Sequence, residues 1–434
     1  MNVVVIGGGT AGWLSALSLS KKHKVTIVDS DIETIGVGES TTDRLVEWLI
    51  KQGINIEDFM SKVGGTIKLG NHFHSFGSRS YFHLFDASDD LTLNQLGPYA
   101  YTNQRSLAPL TKFYKHCLNK STPRELDGIA IQWENGLVPQ YFKKYLNDKV
   151  TLLNNTVKQV ITKDNLIDYI LLDDGEHLKA DLFVDCTGFR RVLIKEFSKF
   201  ESWNCEGQVD TALVWQEKYD NHNPYTDIEG WDYGWCWNIQ TQTRAGRGYV
   251  FDSHSVSTNE AIQEIKRRTK YSGEPKQISF NPGVMKESWV GNVVAVGLSS
   301  HFLEPMEATN IEYATKQLDY ITKVINNDMS VSEFNNKIKE ITHEIRCFIK
   351  LHYLNDFPKN NFWKIQNDIQ EWFLETHSNL ILKNNFNYIK EKGWNWYDNY
   401  SWCCILDGVG VKPKAVIDDA ALMAQYDKTV MENS

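Results

Sequence analysis

Three groups of residues in this sequence are of types and spacings that could do chemistry. The first is Gly7-Gly8-Gly9-Thr10-Ala11-Gly12, in which Gly7-x-Gly9-x-x-Gly12 falls between the β-branched run Val3 to Ile6 and the helix-compatible Trp13 to Leu19. Strand, glycine turn and helix in that order can hold a pyrophosphate. The first glycine turns the chain, the second lets backbone approach the phosphates, and the third packs helix on strand; the helix N-terminus adds its positive dipole end. Asp29 closes the next β-branched run, Val25 to Val28, where an acidic side chain can accept hydrogen bonds from a ribose. These residues predict a dinucleotide site and leave FAD and NAD(P) both open.

The second group is a lysine and two glutamates in apolar company. Lys68 stands between Ile67 and Leu69 in an uncharged, strand-like stretch, whereas Lys62 lies in ordinary surface sequence. Lysines are seldom fully buried without a partner, so Lys68 is expected to point into something specific. Glu304 and Glu307 lie in the apolar loop Phe302 to Thr309, where a carboxylate is costly to desolvate unless it has partners or a task. The third group is His72-x-His74 with His83. Histidines two apart on a strand share a face and could ligate a metal, but no third ligand accompanies them at a supporting spacing, so no metal site is expected.

The elements that must position these groups are legible as apolar runs. Val150 to Leu153, Val157 to Ile161 and Tyr169 to Leu172, with the turn Asp173-Asp174-Gly175, predict a β-meander. Leu182 to Asp185 reads as a strand ending at Cys186-Thr187-Gly188-Phe189, and Asn292 to Val296 as another closed by Gly297. Apolar strands so far apart, each closed by a glycine-bearing turn, suit an α/β fold with one discontinuous nucleotide-binding module at 1–75, 149–199 and 285–329. Residues 76–148 and 200–284 would then be substrate-side insertions. Residues 330–434 predict a helical C-terminal part, opened by the capping box Ser330-x-x-Glu333 and striped by Phe334, Ile338, Ile341, Ile345 and Phe348 as core.

Composition narrows the function classes. The 434 residues carry 46 Lys and Arg against 55 Asp and Glu, a formal charge of −9, which argues against polyanion binding and so against nucleic-acid partners. Charged residues at 23% and hydrophobic ones at 41% exclude wholesale disorder. The seven cysteines lack C-x-x-C spacing and predict buried thiols rather than zinc or disulfides. Val3 to Leu19 lacks a basic leader, and no run reaches the roughly 18 to 20 apolar residues of a membrane span. A cytoplasmic, membrane-free protein is expected, with homo-oligomerisation open. The 14 Trp, 19 Tyr and 20 Phe predict large aromatic surfaces.

Ile35-Gly36-Val37-Gly38-Glu39-Ser40-Thr41, taken with the Gly7 to Trp13 turn, resembles the flavin-dependent halogenases known as the tryptophan halogenase family. The resemblance continues in order through Lys68-Leu69-Gly70, Tyr81 to Phe85, Asp185 to Arg190, Val296 to Ser299, Phe302 to Thr309 and Phe348 to Tyr353, covering nearly the whole chain. It departs from the family pattern at Gln240, where W-x-W-x-I is followed by proline, and at Ala308 and Asn310, where the family has E-S-T-G. These departures bear on halide choice and efficiency.

The resemblance implies a Rossmann-like FAD-binding fold of the flavin monooxygenase type. It also implies an activity: reduced FAD and oxygen oxidise a halide to hypohalous acid, which reaches a lysine beside a small aromatic substrate of the indole or phenol type. Carried onto this sequence, the lysine is Lys68 and its acidic partner Glu307, which would face it and stabilise the arenium ion or take its proton. Thr309 and Asn310 would hold the halide through their amides, with asparagine tolerating a left-handed backbone. Gly7, Gly9, Thr10, Ala11, Gly12, Asp29, Glu39, Ser40, Val157, Leu298 and Ile311 would contact the cofactor. Trp235 and Trp237 are either shields along the oxidant's path or a packing pair. No second strand-linked GxGxxG exists for a nicotinamide nucleotide, which implies a separate flavin reductase. The chain is shorter than tryptophan halogenases, which implies a more open substrate site. A flavin monooxygenase or reductase without halogenation, or a catalytically silent flavin-binding protein, are the alternatives; neither accounts for Lys68 and Glu307 together.

Overall fold

The structure is a computed structural model that describes residues 1–30, 39–85, 91–203, 207–218, 222–354, 362–364, 395–413 and 416–433. Ile35-Gly36-Val37-Gly38 of the motif above lie outside the described residues. A six-stranded sheet runs in the order Trp289–Val290, Val293–Ala295, Leu182–Asp185, Asn2–Ile6, Lys24–Asp29, Thr151–Asn154. All neighbours are parallel except the Trp289–Val290 edge pair. Its central strands Asn2–Ile6 and Leu182–Asp185 are buried at nearly every position, and apolar from Val3 to Ile6 and from Leu182 to Val184, because both faces are covered. Val3 and Val5 belong to the large core that includes Trp13 and Leu17, while Val4 and Ile6 belong to a separate core with Phe183 and Val293. The chain is thus an α/β fold with a Rossmann-like sheet: Val4 pairs with Phe183, and Phe183 with Val293, joining segments far apart in sequence.

The predicted meander is corrected at its first strand. Thr151–Asn154 pairs with Lys24–Asp29 in the parallel sheet, and the antiparallel group consists of Val157–Lys163, Leu166–Leu172 and His177–Leu178. Alternation along a strand reports which face is apolar and not which partner it takes. Helix Val331–Leu351 carries both capping-box bonds between Ser330 and Glu333, and Phe334, Ile338, Ile341, Ile345 and Phe348 are all buried. Among the described residues no helix is long and apolar enough to cross a membrane.

A seven-stranded sheet builds the other side of the molecule, in the order Lys276–Ser279, Thr211–Glu217, Ala245–Phe251, Gly234–Gln240, Thr226–Trp231, Gly70–Phe76, Arg79–Leu84. Its pairs are antiparallel except Thr226–Trp231 with Gly70–Phe76. Just before it, Thr66–Lys68 pairs instead with Ala130–Trp133, which also holds Glu39–Ser40. The chain therefore changes sheets at Leu69, whose N–H donates to Pro224 O at 2.8 Å and whose carbonyl accepts from Phe85 N at 2.8 Å.

The glycine turn joins the N-terminal strand to helix Thr10–Leu19. Gly7 has φ +108°, which disfavours a side chain, and a Cβ on Gly12 would sit 1.8 Å from Gly7 O. At Gly9 a Cβ would meet nothing within 4 Å. Gly12→Ala is therefore expected to cost about 1–3 kcal/mol or more of stability, and Gly9→Ala to change it by less than about 1 kcal/mol. Urea unfolding of the two variants beside the parent tests this, and equal losses would contradict it.

Candidate active site

Several of the residues expected to hold a cofactor, Asp29, Glu39 and Ala11 among them, lie at the start of helix Thr10–Leu19. A Cβ on Gly8 would overlap the Asp29 carboxylate at 2.0 Å, so the absent side chain is what lets Asp29 close against the turn. Glu39 accepts a bond from Trp133 Nε1 at 2.9 Å and one from Thr10 Oγ1 at 3.3 Å. Burial raises its carboxyl above the usual range, and those two bonds oppose the rise. Gly297, at φ +64°, would place a Cβ 3.1 Å from that of Ala11 and 3.9 Å from that of Ala314, which brings a third segment to the turn. Leu298 and Ile311 are half-buried beside it. Asp185 fastens this segment: its carboxylate accepts from the N–H groups of Thr187, Leu193 and Ile194 and from the Thr187 and Ser299 hydroxyls.

An N-terminus with free amides, a glycine with open space, an adjacent carboxylate and two partly exposed aliphatic side chains fit a dinucleotide with a flat apolar ring. Val157 follows Asn154, the register partner of Asp29, by three positions. Ser40 does not join the turn through its side chain; its Oγ lies 2.9 Å from Thr226 Oγ1, toward the seven-stranded sheet.

Lys68 is 0% exposed. Its Nζ donates to Thr41 O at 2.9 Å and stands 4.8 Å above the Phe85 ring. Burial lowers its amine to about 7, with Glu307 and Asp43 pulling the other way. Near neutral pH, the group therefore exists in both protonation states.

Glu307 is the centre of a second buried cluster. One oxygen accepts from Asn71 Nδ2 at 2.7 Å and from His83 Nδ1 at 2.8 Å; the other lies 3.1 Å from His352 Nε2. Tyr81 OH reaches His352 Nδ1 at 2.8 Å, and Ser401 Oγ lies 3.0 Å from His83 Nε2. Burial works to raise the Glu307 carboxyl, yet His83 and His352 outweigh it and hold it well below the usual carboxylate range. Lys68 and Glu307 make no ion pair within 4 Å, so they act on each other through space. Phe85, His83 and Glu307 line a cavity of about 90 Å³ together with Thr42, Tyr397 and Tyr400.

The sequence does not show that Asn71, His83 and His352 gather around Glu307. The available signal was polar residues set in apolar runs, as in Tyr81 to Phe85 and Phe348 to Tyr353.

The expectation about Asn310 is corrected. The left-handed backbone falls on Glu307 (φ +66°) and Ala308 (φ +56°), and Asn310 lies in the first turn of helix Thr309–Ile325. Ala308 caps that helix without a side-chain bond, so the first amides, Thr309 and Asn310 among them, have no carbonyl partner in the helix. Amides in that position attract an anion. Glu304 is separate: its carboxylate accepts from Tyr353 OH, which in turn accepts from Trp235 Nε1 at 3.0 Å. Trp235 is fully buried, and the Trp237 ring fills the space left by Gly248, so the W-x-W segment is a packing pair. His72 and His74 point away from Glu307, and Asp227 Oδ1, 3.0 Å from His72 Nδ1, supplies the third ligand type that sequence spacing lacks.

With this geometry in view, similarity to known proteins is informative. The sequence model of the family described as tryptophan halogenase matches residues 2–425. Tryptophan 7-halogenase RebH of Lentzea aerocolonigenes is 25% identical, over 99% of this chain and 93% of its own. BrvH, a flavin-dependent halogenase from Brevundimonas sp. BAL3, is 26% identical with a TM-score of 0.84, covering 100% of this chain and 96% of that one. The tryptophan halogenase from Shewanella frigidimarina NCIMB 400 shares the fold at a TM-score of 0.89 and 22% identity, covering 100% of this chain and 93% of that one.

The Lys68 environment yields a stability prediction. Its folded pKa lies below the unfolded value, so between about pH 7 and 10.5 the unfolded state binds more protons and stability rises with pH. Lys68→Met removes this burden. The variant is expected to match or exceed the parent in stability at pH 7, with an advantage that shrinks as pH rises toward 10. Urea unfolding at several pH values measures the difference; one that is constant with pH would contradict the assignment.

Proposed function

The chain belongs to the tryptophan halogenase family, and from that premise we propose that it halogenates an electron-rich arene of the indole or phenol class, with Lys68 receiving the hypohalous acid. Proteins of this family are flavin-dependent halogenases and hence oxidoreductases. The observation that carries the lysine assignment is a fully buried amine with a pKa near 7, set over an aromatic ring that lines a cavity.

The glycine turn from Gly7 to Gly12 would hold the FAD pyrophosphate, with Ala11 and Thr10 at the helix end and Asp29 at a ribose. Glu39, Ser40, Val157, Leu298 and Ile311 would complete the cofactor site. When bound, reduced FAD with oxygen supplies the two-electron oxidant that turns halide into hypohalous acid. The amides of Thr309 and Asn310 would hold the halide at the positive end of their helix. No second dinucleotide turn follows a strand in this sequence, so a separate reductase would supply reduced flavin.

Lys68 in its ammonium form can hydrogen-bond hypohalous acid and polarise it; in its amine form it can be halogenated and pass the halogen on. Glu307, ionised between two histidines, stabilises positive charge on the attacked ring. His83, bonded to Glu307 through Nδ1, offers the released proton an outlet through Nε2 toward Ser401. Neither an ordinary flavin monooxygenase nor a silent flavin carrier needs these groups.

The test supplies a flavin reductase, NADH, FAD and each halide with a panel of indoles and phenols. Halogenated product is expected, and its absence across the panel despite bound FAD would sink the reading. Lys68→Ala is expected to abolish product while leaving FAD affinity unchanged. Glu307→Gln, which keeps an acceptor for Asn71 but removes the charge, is expected to lower kcat by about 100-fold or more. Undiminished turnover in either variant would refute its assigned role.

A further inference from the structure

We propose that His72, His74 and Asp227 form a binding site for a zinc-class divalent metal, on the face of strand Gly70–Phe76 opposite the one that carries Asn71 and Phe73. Successive side chains of a strand alternate in direction. Asn71 donates to Glu307 and Phe73 stacks on His352 at 4.3 Å between ring centroids, so His72 and His74 share the other face. The parallel neighbour Thr226–Trp231 sets Asp227 opposite His72 in register. The histidine pair comes from one part of the sequence and the carboxylate from another, about 155 residues later.

One ligand atom from each side chain lies within 4.8 Å of the others. His72 Nδ1 and His74 Nε2 are 3.0 and 4.0 Å from Asp227 Oδ1. Tetrahedral zinc with bonds of about 2.0–2.1 Å keeps its ligands roughly 3.3 Å apart. Small side-chain adjustments close the site around an ion, leaving a fourth position for water.

The outward atoms are also arranged as metal ligands require. A bound imidazole normally hydrogen-bonds its second nitrogen, and a bound carboxylate its second oxygen. His72 Nε2 lies 2.9 Å from Ser80 Oγ, and His74 Nδ1 lies 3.3 Å from Ser75 Oγ. Asp227 Oδ2 accepts from Asn223 Nδ2 at 2.7 Å, and the Asn223 N–H is held by Gln240 Oε1 at 2.6 Å. Each ligand thus has one atom anchored and the other turned inward. The His72 ring is further fixed by stacking on Phe82 at 4.3 Å. The three side chains keep 20%, 31% and 19% exposure, enough for an ion to enter.

Bound there, the ion ties together the one parallel pair described in the seven-stranded sheet, and through it fixes the strand from which Asn71 reaches Glu307. This role is structural, and its three ligands are distinct from Lys68 and Glu307.

The test is a Zn²⁺ titration of tag-free full-length chain, cleared of metal with a chelator, followed by calorimetry and by the absorption bands of Co²⁺ as a substitute. Expected are one Zn²⁺ per chain with at least micromolar affinity, a raised unfolding midpoint at saturating Zn²⁺, and Co²⁺ bands of a four-coordinate site. His74→Gln, at a part-exposed position, is expected to weaken binding by 100-fold or more with FAD binding retained. Ser80→Ala, which leaves all three ligands in place, is expected to weaken it by about 10-fold. Absence of Zn²⁺ binding by the parent chain would overturn the proposal, since His72 and Asp227 would then form only a hydrogen bond. Binding unchanged by His74→Gln would also overturn it, because the ion would sit elsewhere.

Discussion

Taking an amine and a carboxylate out of water without pairing them directly leaves each with a desolvation penalty of several kcal/mol, and much of the surrounding architecture answers that penalty. Lys68 is given one carbonyl, Thr41 O, and the face of Phe85. This is too little to keep its ordinary pKa, so the amine settles near 7. Glu307 is given two donors, Asn71 and His83, with His352 close beside its other oxygen, and its carboxyl goes the other way. A stable core would replace both with apolar groups. Two such groups, one lining a cavity and the other held over an aromatic ring that lines it, are the kind of local inconsistency expected of a functional site.

Holding those groups in place requires elements from several parts of the chain. Lys68 ends a short strand in one sheet, and three residues later Asn71 stands in another, because the chain switches partners at Leu69. His83 comes from the next strand, His352 from the end of helix Val331–Leu351, and Glu307 from a turn where two successive non-glycine residues are left-handed. Such backbone costs of order 1–3 kcal/mol per residue and persists only where its surroundings dictate it. Here the helix that starts at Thr309 and the histidine contacts supply that constraint. The same left-handed turn leads into the helix N-terminus, so carboxylate placement and the uncapped first amides share a single backbone feature.

The departures from the family pattern become intelligible in this setting. Gln240 is buried; its side chain holds the Asn223 amide and its carbonyl accepts from Thr66, on the strand that ends at Lys68. A proline there would supply no side-chain acceptor for Asn223. Ala308 occupies a left-handed position without a side chain to cap the following helix. Asn310 sits in ordinary helical backbone, where glycine's conformational freedom is not needed.

The sequence by itself determined the glycine turn between strand and helix, the apolar strands and the striped helix, because each is a local pattern with a local physical cause. Gly7, Gly9 and Gly12 are read from steric need, Val3 to Ile6 from burial on both faces, and Ser330 with Glu333 from capping. It also flagged Lys68, Glu304 and Glu307, since a charge in an apolar run is conspicuous without knowledge of its partners; the family resemblance, not the pattern, preferred Glu307. What it could not give was the company those charges keep. That Asn71, His83 and His352 gather around Glu307, that Thr151–Asn154 leaves the meander for the parallel sheet, and that Asp227 meets His72 and His74 all depend on strand partner and register. Register is decided by how whole faces pack together, and alternation within one strand leaves its partner unspecified. Only the tertiary structure resolves it.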